Sequence, residues 1–161
     1  MLDFSQITRD LFIGVTPQSA DYSLLWENGV RLIINMRFGQ SPYPHPDPGS
    51  MPIDILWMRT FDNPFLPIPQ KYLLTGTHKA LETISKGGKV YSHCAKGRHR
   101  SVAMGASILI AQGLSAKDAM AVIKQQRPIS DPYIFYIKAR IQQFERLWKH
   151  HAHASLPKIN L

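Results

Sequence analysis

Apolar residues along the chain fall into short β-rich runs that alternate with stretches of helical period. Leu11-Phe12-Ile13 is one such run, closed by Gly14. Thr16-Pro17 then offers an N-cap followed by proline at the first helical position, predicting a helix to about Asn28, where Gly29 stops it. Arg31-Leu32-Ile33-Ile34-Asn35-Met36 suits a buried parallel strand, and Ile53 to Met58 reads as the next. From Gln70, the spacing of Tyr72, Leu73, His78, Leu81 and Ile84 predicts a helix to Lys86, ended by Gly87-Gly88. Lys89-Val90-Tyr91-Ser92 is a further short strand that runs directly into His93-Cys94. Ser101 to Gln112 is almost entirely apolar or small, the signature of a helix buried on all sides. Ser115 with Asp118 starts another helix, which ends before Arg127-Pro128. Ser130-Asp131-Pro132 opens the last, carried by Ile134, Ile137, Ile141, Phe144 and Trp148.

Strands alternating with helices predict an α/β, three-layer fold: a mostly parallel central sheet of four to five strands flanked by helices. The whole of 1–150 reads as one domain, without an internal repeat. Residues 151–161 lack periodicity and are expected to form a flexible C-terminal tail. Between Arg37 and Pro52, prolines at 42, 44, 46, 48 and 52 exclude helix and central strand and predict an exposed extended loop.

Composition narrows the function classes. The chain of 161 residues is 44% hydrophobic, which argues against wholesale disorder. No apolar run approaches the roughly 20 residues of a membrane span, and the N-terminus lacks secretory features, so a cytoplasmic protein, with a monomer as its expected state, is the default. A net charge of +8 favours anionic partners such as phosphorylated proteins, lipids or nucleotides. No basic run is interleaved with aromatic residues as on a single-strand-binding face, and nothing requires nucleic acid. One cysteine excludes an internal disulfide and a thiolate zinc cluster. His150, His151 and His153 lack carboxylate companions, so no metal site is expected.

The chemistry concentrates in one turn: a strand, Cys94, five residues, Arg100, then the buried helix. A turn between a strand's carboxyl end and a helix's amino end presents backbone N–H groups without intrahelical partners, which favours a bound anion. Gly97 lets the backbone curl closely around it, and Arg100 can fork two charge-assisted hydrogen bonds to phosphate oxygens. The same field acts on the sulfur. A thiol of pKa about 8.5 is only about 3% ionised at neutral pH; moving it to about 5 takes about 5 kcal/mol of differential stabilisation.

His93-Cys94-Ala95-Lys96-Gly97-Arg98-His99-Arg100-Ser101 resembles the His-Cys-x-x-Gly-x-x-Arg-Ser signature of the cysteine-dependent protein tyrosine phosphatase superfamily. Residues 5–149 are similar to the compact dual-specificity phosphatases, with Ile7 to Gly14 resembling their opening strand and Gly29 to Asn35 their second. The resemblance implies a phosphomonoester hydrolase, acting on phosphotyrosine and on phosphoserine or phosphothreonine, that needs no cofactor and no metal. By resemblance, Cys94 attacks phosphorus to form a phosphocysteine. The backbone of Ala95, Lys96, Gly97, Arg98, His99 and Arg100, with the Arg100 guanidinium, binds the phosphoryl oxygens. Ser101 helps the thiolate to depart, and His93 supports the cysteine without touching substrate. A general acid comes from an upstream aspartate; Asp62, 32 positions before Cys94 in a Pro- and aromatic-rich loop, fits that place. Asp54, in a predicted strand, is the alternative.

His99 departs from many relatives, which carry Ser or Gly there. With Lys96 and Arg98 it makes the loop unusually cationic. Either these side chains select a highly charged substrate, such as a phosphoinositide, a nucleotide or an RNA 5′ end, or they point away from the site. Phe65, Tyr133 and Tyr43 could line its rim. Two other classes also place a cysteine or a basic turn against an anion, namely rhodanese-like sulfurtransferases (with arsenate-reducing enzymes) and non-catalytic phosphate-binding modules. The Gly-x-x-Arg-Ser continuation and the upstream aspartate favour the phosphatase.

Overall fold

The computed structural model describes residues 1–154, with side chains to His151. Five strands form one sheet: β1 (Phe4–Thr8), β2 (Leu11–Val15), β3 (Val30–Asn35), β4 (Asp54–Trp57) and β5 (Lys89–Cys94), in the order β1-β2-β5-β3-β4. All pairs are parallel except β1 with β2, an antiparallel hairpin at one edge. Five helices cover it: α1 (Tyr22–Glu27), α2 (Gln70–Ser85), α3 (Arg100–Ala111), α4 (Ala116–Gln126) and α5 (Phe135–Ala154).

The inner strands β2, β3 and β5 are buried on both faces, as parallel strands between two helical layers must be. Leu11, Ile13, Leu32, Ile34 and Val90 point into a core shared with α2 to α5. Their neighbours Phe12, Ile33 and Tyr91 point the other way, against Tyr22 and Leu25 of α1. Residues 100–110 of α3 are all buried, which matches their unbroken apolar and small composition.

Three expectations need correction. Thr16 does not cap the first helix: a 3-10 turn, Ser19–Asp21, precedes α1, and the capping box is formed by Gln18 and Asp21. The Gln18 amide donates to the Asp21 carboxylate at 2.8 Å, while the Thr16 hydroxyl donates to the Cys94 carbonyl at 3.3 Å. The opening strand is two strands, because Arg9-Asp10 turns the chain and sends Phe4–Thr8 along the sheet edge. Helix α5 runs past Trp148 and takes in residues 151–154 of the expected tail; 155–161 lie outside the described residues. The proline-rich segment 37–52 has no regular structure and is largely exposed.

Parallel pairing places the carboxyl ends of β2, β3, β4 and β5 at one edge of the sheet. Cys94 ends β5 there, opposite Val15 of β2 and one step beyond the His93–Asn35 pair with β3. Crevices outside that edge are where open α/β sheets bind ligands.

Candidate active site

The turn between β5 and α3 is held from outside. Arg127, nearly fully buried, donates from Nε to the Gly97 carbonyl at 2.9 Å and from Nη2 to the Lys96 carbonyl at 3.4 Å. The Asp131 amide donates to the Arg98 carbonyl at 2.9 Å. Three successive carbonyls are thereby accounted for away from the cleft, which leaves the intervening amides to face the sulfur. Gly97 sits at φ +61°, and a Cβ there would lie 2.8 Å from the Gly14 backbone and from Arg127. Both conformation and space require glycine.

Cys94 is buried at the bottom, its Sγ 3.3 Å from the Ser101 hydroxyl. Burial pushes the thiol up, but the Ser101 hydroxyl and amide, the Arg100 charge and the Arg98 amide outweigh it, so the net shift is downward. His93 is buried one residue before. Desolvation, aided by the Arg37 and Arg100 charges against a hydrogen bond at Cys94, lowers its pKa to about 3, so it is neutral at ordinary pH.

Arg100 is anchored by Nη1, which donates to the carbonyls of Thr60 (2.9 Å) and Met36 (3.2 Å). Its buried Nε has no hydrogen-bond partner and lies 4.0 Å from the Asp62 carboxylate. A guanidinium pinned at one nitrogen keeps its remaining edge for a forked contact with an oxyanion.

Asp62 lies over this turn. Tyr136 of α5 donates its hydroxyl to Oδ1 at 2.7 Å, and His99 Nδ1 is 3.1 and 3.0 Å from the two carboxylate oxygens. Asp54, the alternative, stands at the amino end of β4 and pairs with Lys79 at 3.2 Å, at the opposite edge of the sheet from Cys94. Asp62, Cys94, Ala95, Lys96, Arg98 and His99 line one cleft of about 220 Å³. All three basic residues of the turn therefore border it. His99 faces the carboxylate, which leaves Lys96 and Arg98 as cations on the cleft's border.

Of the residues singled out in the sequence, Cys94, Arg100, Ser101, Asp62 and the turn from Ala95 to His99 come together, with His93 packed behind. Phe65 and Tyr133 are exposed near the cleft but do not line it, and Tyr43 is tied back to α1 by its carbonyl, which accepts from Tyr22 at 2.9 Å. Arg127 and Tyr136 escape the sequence reading. Arg127 carries a signal, a charged residue at a helix end before proline, but its partners at Asp3 and residues 96–97 are distant in sequence; Tyr136 carries none. Among the described residues no group of three or more His, Cys, Asp or Glu side chains could hold a metal ion.

The chain has the fold of the compact cysteine-dependent phosphatases of the dual-specificity type. No protein-family model matches its sequence, and no curated protein matches it. Among solved structures it is similar to a mouse dual specificity phosphatase complexed with zinc tungstate (26% identity, 96% of this chain and 92% of that one, TM-score 0.80). PTPMT1 is similar at 21% identity, over 95% of this chain and 100% of that one, TM-score 0.83; it has also been solved in complex with PI(5)P. A human tyrosine phosphatase-like serine/threonine/tyrosine-interacting protein matches at 20% identity, over 91% and 97%, TM-score 0.76. At such identities these last two likenesses establish the fold alone.

Proposed function

We propose that the protein hydrolyses phosphate monoesters through a phosphocysteine. The observation that carries this reading is the convergence of the Cys94 thiol, the half-anchored Arg100 and the Asp62 carboxylate on one cleft. The Cys94 thiolate attacks phosphorus, an S–P bond forms, and the ester P–O bond breaks. Asp62 gives its proton to the departing oxygen, so the alcohol leaves neutral. The amides of 95–100 and the free edge of Arg100 take the charge that accumulates on the phosphoryl oxygens. Water then attacks phosphorus while Asp62 takes its proton; the S–P bond breaks, and Ser101 donates to the thiolate that leaves. Inorganic phosphate is the second product, and the enzyme returns to its starting state.

Phosphotyrosine, with phosphoserine and phosphothreonine, is the substrate class that the resemblance to the compact dual-specificity phosphatases implies. A second class has its own support: Lys96 and Arg98 border the cleft and suit an ester that carries further anionic groups, such as a phosphoinositide or nucleotide. The deciding experiment is hydrolysis of p-nitrophenyl phosphate without added metal by the wild type and by Cys94→Ser. Loss of turnover in the variant, with unchanged circular dichroism, is the expected result; activity surviving the substitution removes the reading. Binding of phosphate esters without any turnover by the wild type favours a phosphate-binding module instead.

A further inference from the structure

Asp62, His99 and Tyr136 form a closed triangle of polar contacts, since the Tyr136 hydroxyl also lies 3.2 Å from His99 Nδ1. The three come from separate places: an exposed loop, the phosphate-binding turn itself, and α5. Resting on the phosphatase reading, we propose that His99 and Tyr136 are positioning residues that hold Asp62 over the thiol in both of its protonation states. The chemistry of imidazole carries the point. When Asp62 is ionised, His99 donates its Nδ1–H to the carboxylate beside the Tyr136 hydroxyl. When Asp62 is protonated, its O–H donates to Nδ1 of the other neutral tautomer. The side chain of His99 is 20% exposed, so solvent exchange at Nε2 lets the tautomers interconvert. Lysine or arginine at this place would serve only the ionised carboxylate. With the loop closed, the acid is thus fixed by the same turn that grips the phosphate.

Rates with phenyl phosphate, whose leaving group needs a proton, and with 2,4-dinitrophenyl phosphate, whose does not, test this. His99→Ala and Tyr136→Phe should each lose about tenfold to a hundredfold more on the first ester than on the second. His99→Asn, which keeps a group able to donate or accept there, should recover part of that difference. Equal losses on both esters, or no loss, overturn the clamp while leaving the phosphatase reading intact. A wild type silent on both esters overturns the reading itself and the clamp with it.

A separate observation concerns the outer surface. Of the ten exposed large apolar side chains among the described residues, eight lie on the loops after β3, β4 and α4 or at the start of α5, and seven of these (Phe38, Phe61, Phe65, Leu66, Ile129, Tyr133 and Phe135) remain once Tyr43, tied back to α1, is set aside. Contacts link the two ends of this set: Phe38 stacks on Phe61 at 4.2 Å, Asp62, next to Phe61, accepts from Tyr136, and Phe135 packs edge-on against Tyr136. None lines the cleft; Phe65 and Phe135 are 88% and 72% exposed and stand out from the surface. We infer that this strip seats the cleft on an anionic lipid surface. Projecting aromatic tips, joined through Tyr136 and Asp62 to the cleft that Lys96 and Arg98 border, on a chain of net charge +8, match an interface that is apolar below and negative above. A peptide partner would instead meet apolar side chains that line a groove.

Co-sedimentation with phosphatidylcholine vesicles, with and without phosphatidylserine, decides it. The expected result is binding only to the anionic vesicles, weakened by raised salt and at least tenfold by Phe65→Ser with Phe135→Ser, while p-nitrophenyl phosphate hydrolysis persists. No binding to the anionic vesicles, or binding that ignores the double substitution, overturns the surface. So does a substitution that raises KM for a phosphopeptide without changing vesicle binding.

Discussion

The two halves of the cleft are built to different standards. The turn between β5 and α3, the proposed anion site, rests on a buried strand and a buried helix, and its outward carbonyls are held by Arg127 and Asp131. The Asp62 loop carries Pro64, Pro67 and Pro69 and is mostly exposed; beyond the buried Thr60, it is tied down through the carboxylate's contacts with Tyr136 and His99 and by the Phe38–Phe61 stack. Oxyanion donors must be in place before charge develops, so their rigidity serves the reaction directly. A proton donor must admit the substrate first, and a loop held by few polar contacts can do so.

Loss of the carboxylate separates the halves most sharply. Asp62→Ala should slow phenyl phosphate hydrolysis by about a hundredfold to a thousandfold, and 2,4-dinitrophenyl phosphate far less. Its urea midpoint should stay near the wild type's, because the side chain is partly exposed. An equal loss on the two esters would refute its role as proton donor.

Arg127→Ala should act in the opposite way. It leaves the buried Gly97 carbonyl without its donor, at about 1–3 kcal/mol, and removes a weaker, part-buried contact to the Lys96 carbonyl. Urea denaturation should therefore report a loss of about 3 kcal/mol, and turnover should fall alike on good and poor leaving groups. A leaving-group-dependent loss would mean that the turn does not rely on this anchor.

His93 gives the buried half a pH signature. Its folded pKa of about 3 lies below the ordinary value of about 6.5, so between these limits the folded chain binds fewer protons than the unfolded one. Stability contributed by the neutral imidazole is complete above pH 6.5 and is lost as pH falls toward 3. From about pH 6.5 to about pH 5 the loss from this one group is about 2 kcal/mol. His93→Asn costs stability by cavity formation at both pH values, so that cost cancels in the difference. Urea titrations should show a shallower acid slope in the variant; parallel slopes would show that His93 does not govern it.

Legibility in the sequence divides along the same line. Strand β5, the turn and α3 are readable because their chemistry is local: an apolar run, Cys94, Gly97 and Arg100 in one stretch, then a helix buried on all sides. Asp62 is placed by resemblance and distance along the chain, since no local pattern marks a proton donor. Its partners are not legible, because His99 and Tyr136 meet it across 37 and 74 residues. The antiparallel edge strand is hidden for a different reason: Phe4–Thr8 has too few alternating apolar positions to stand apart from its neighbour. The early helix start fails because Thr16 satisfies a strand-end carbonyl instead of an orphan helical amide.

The smallest expected effect tests the contrast most directly. Phe38 and Phe61 stack at 4.2 Å with their planes 23° apart, joining the loop after β3 to the Asp62 loop, yet both rings are exposed. Such a pair contributes about 0.5–1.5 kcal/mol beyond its burial. In Phe38→Ala that loss falls on local opening of one loop, because the buried core beneath does not depend on the ring. Hydrogen exchange should therefore quicken at the amides of 60–66 and stay unchanged at 95–100. If both segments quicken together, the two halves open as one unit, and the distinction between a fixed anion site and a movable proton donor does not hold.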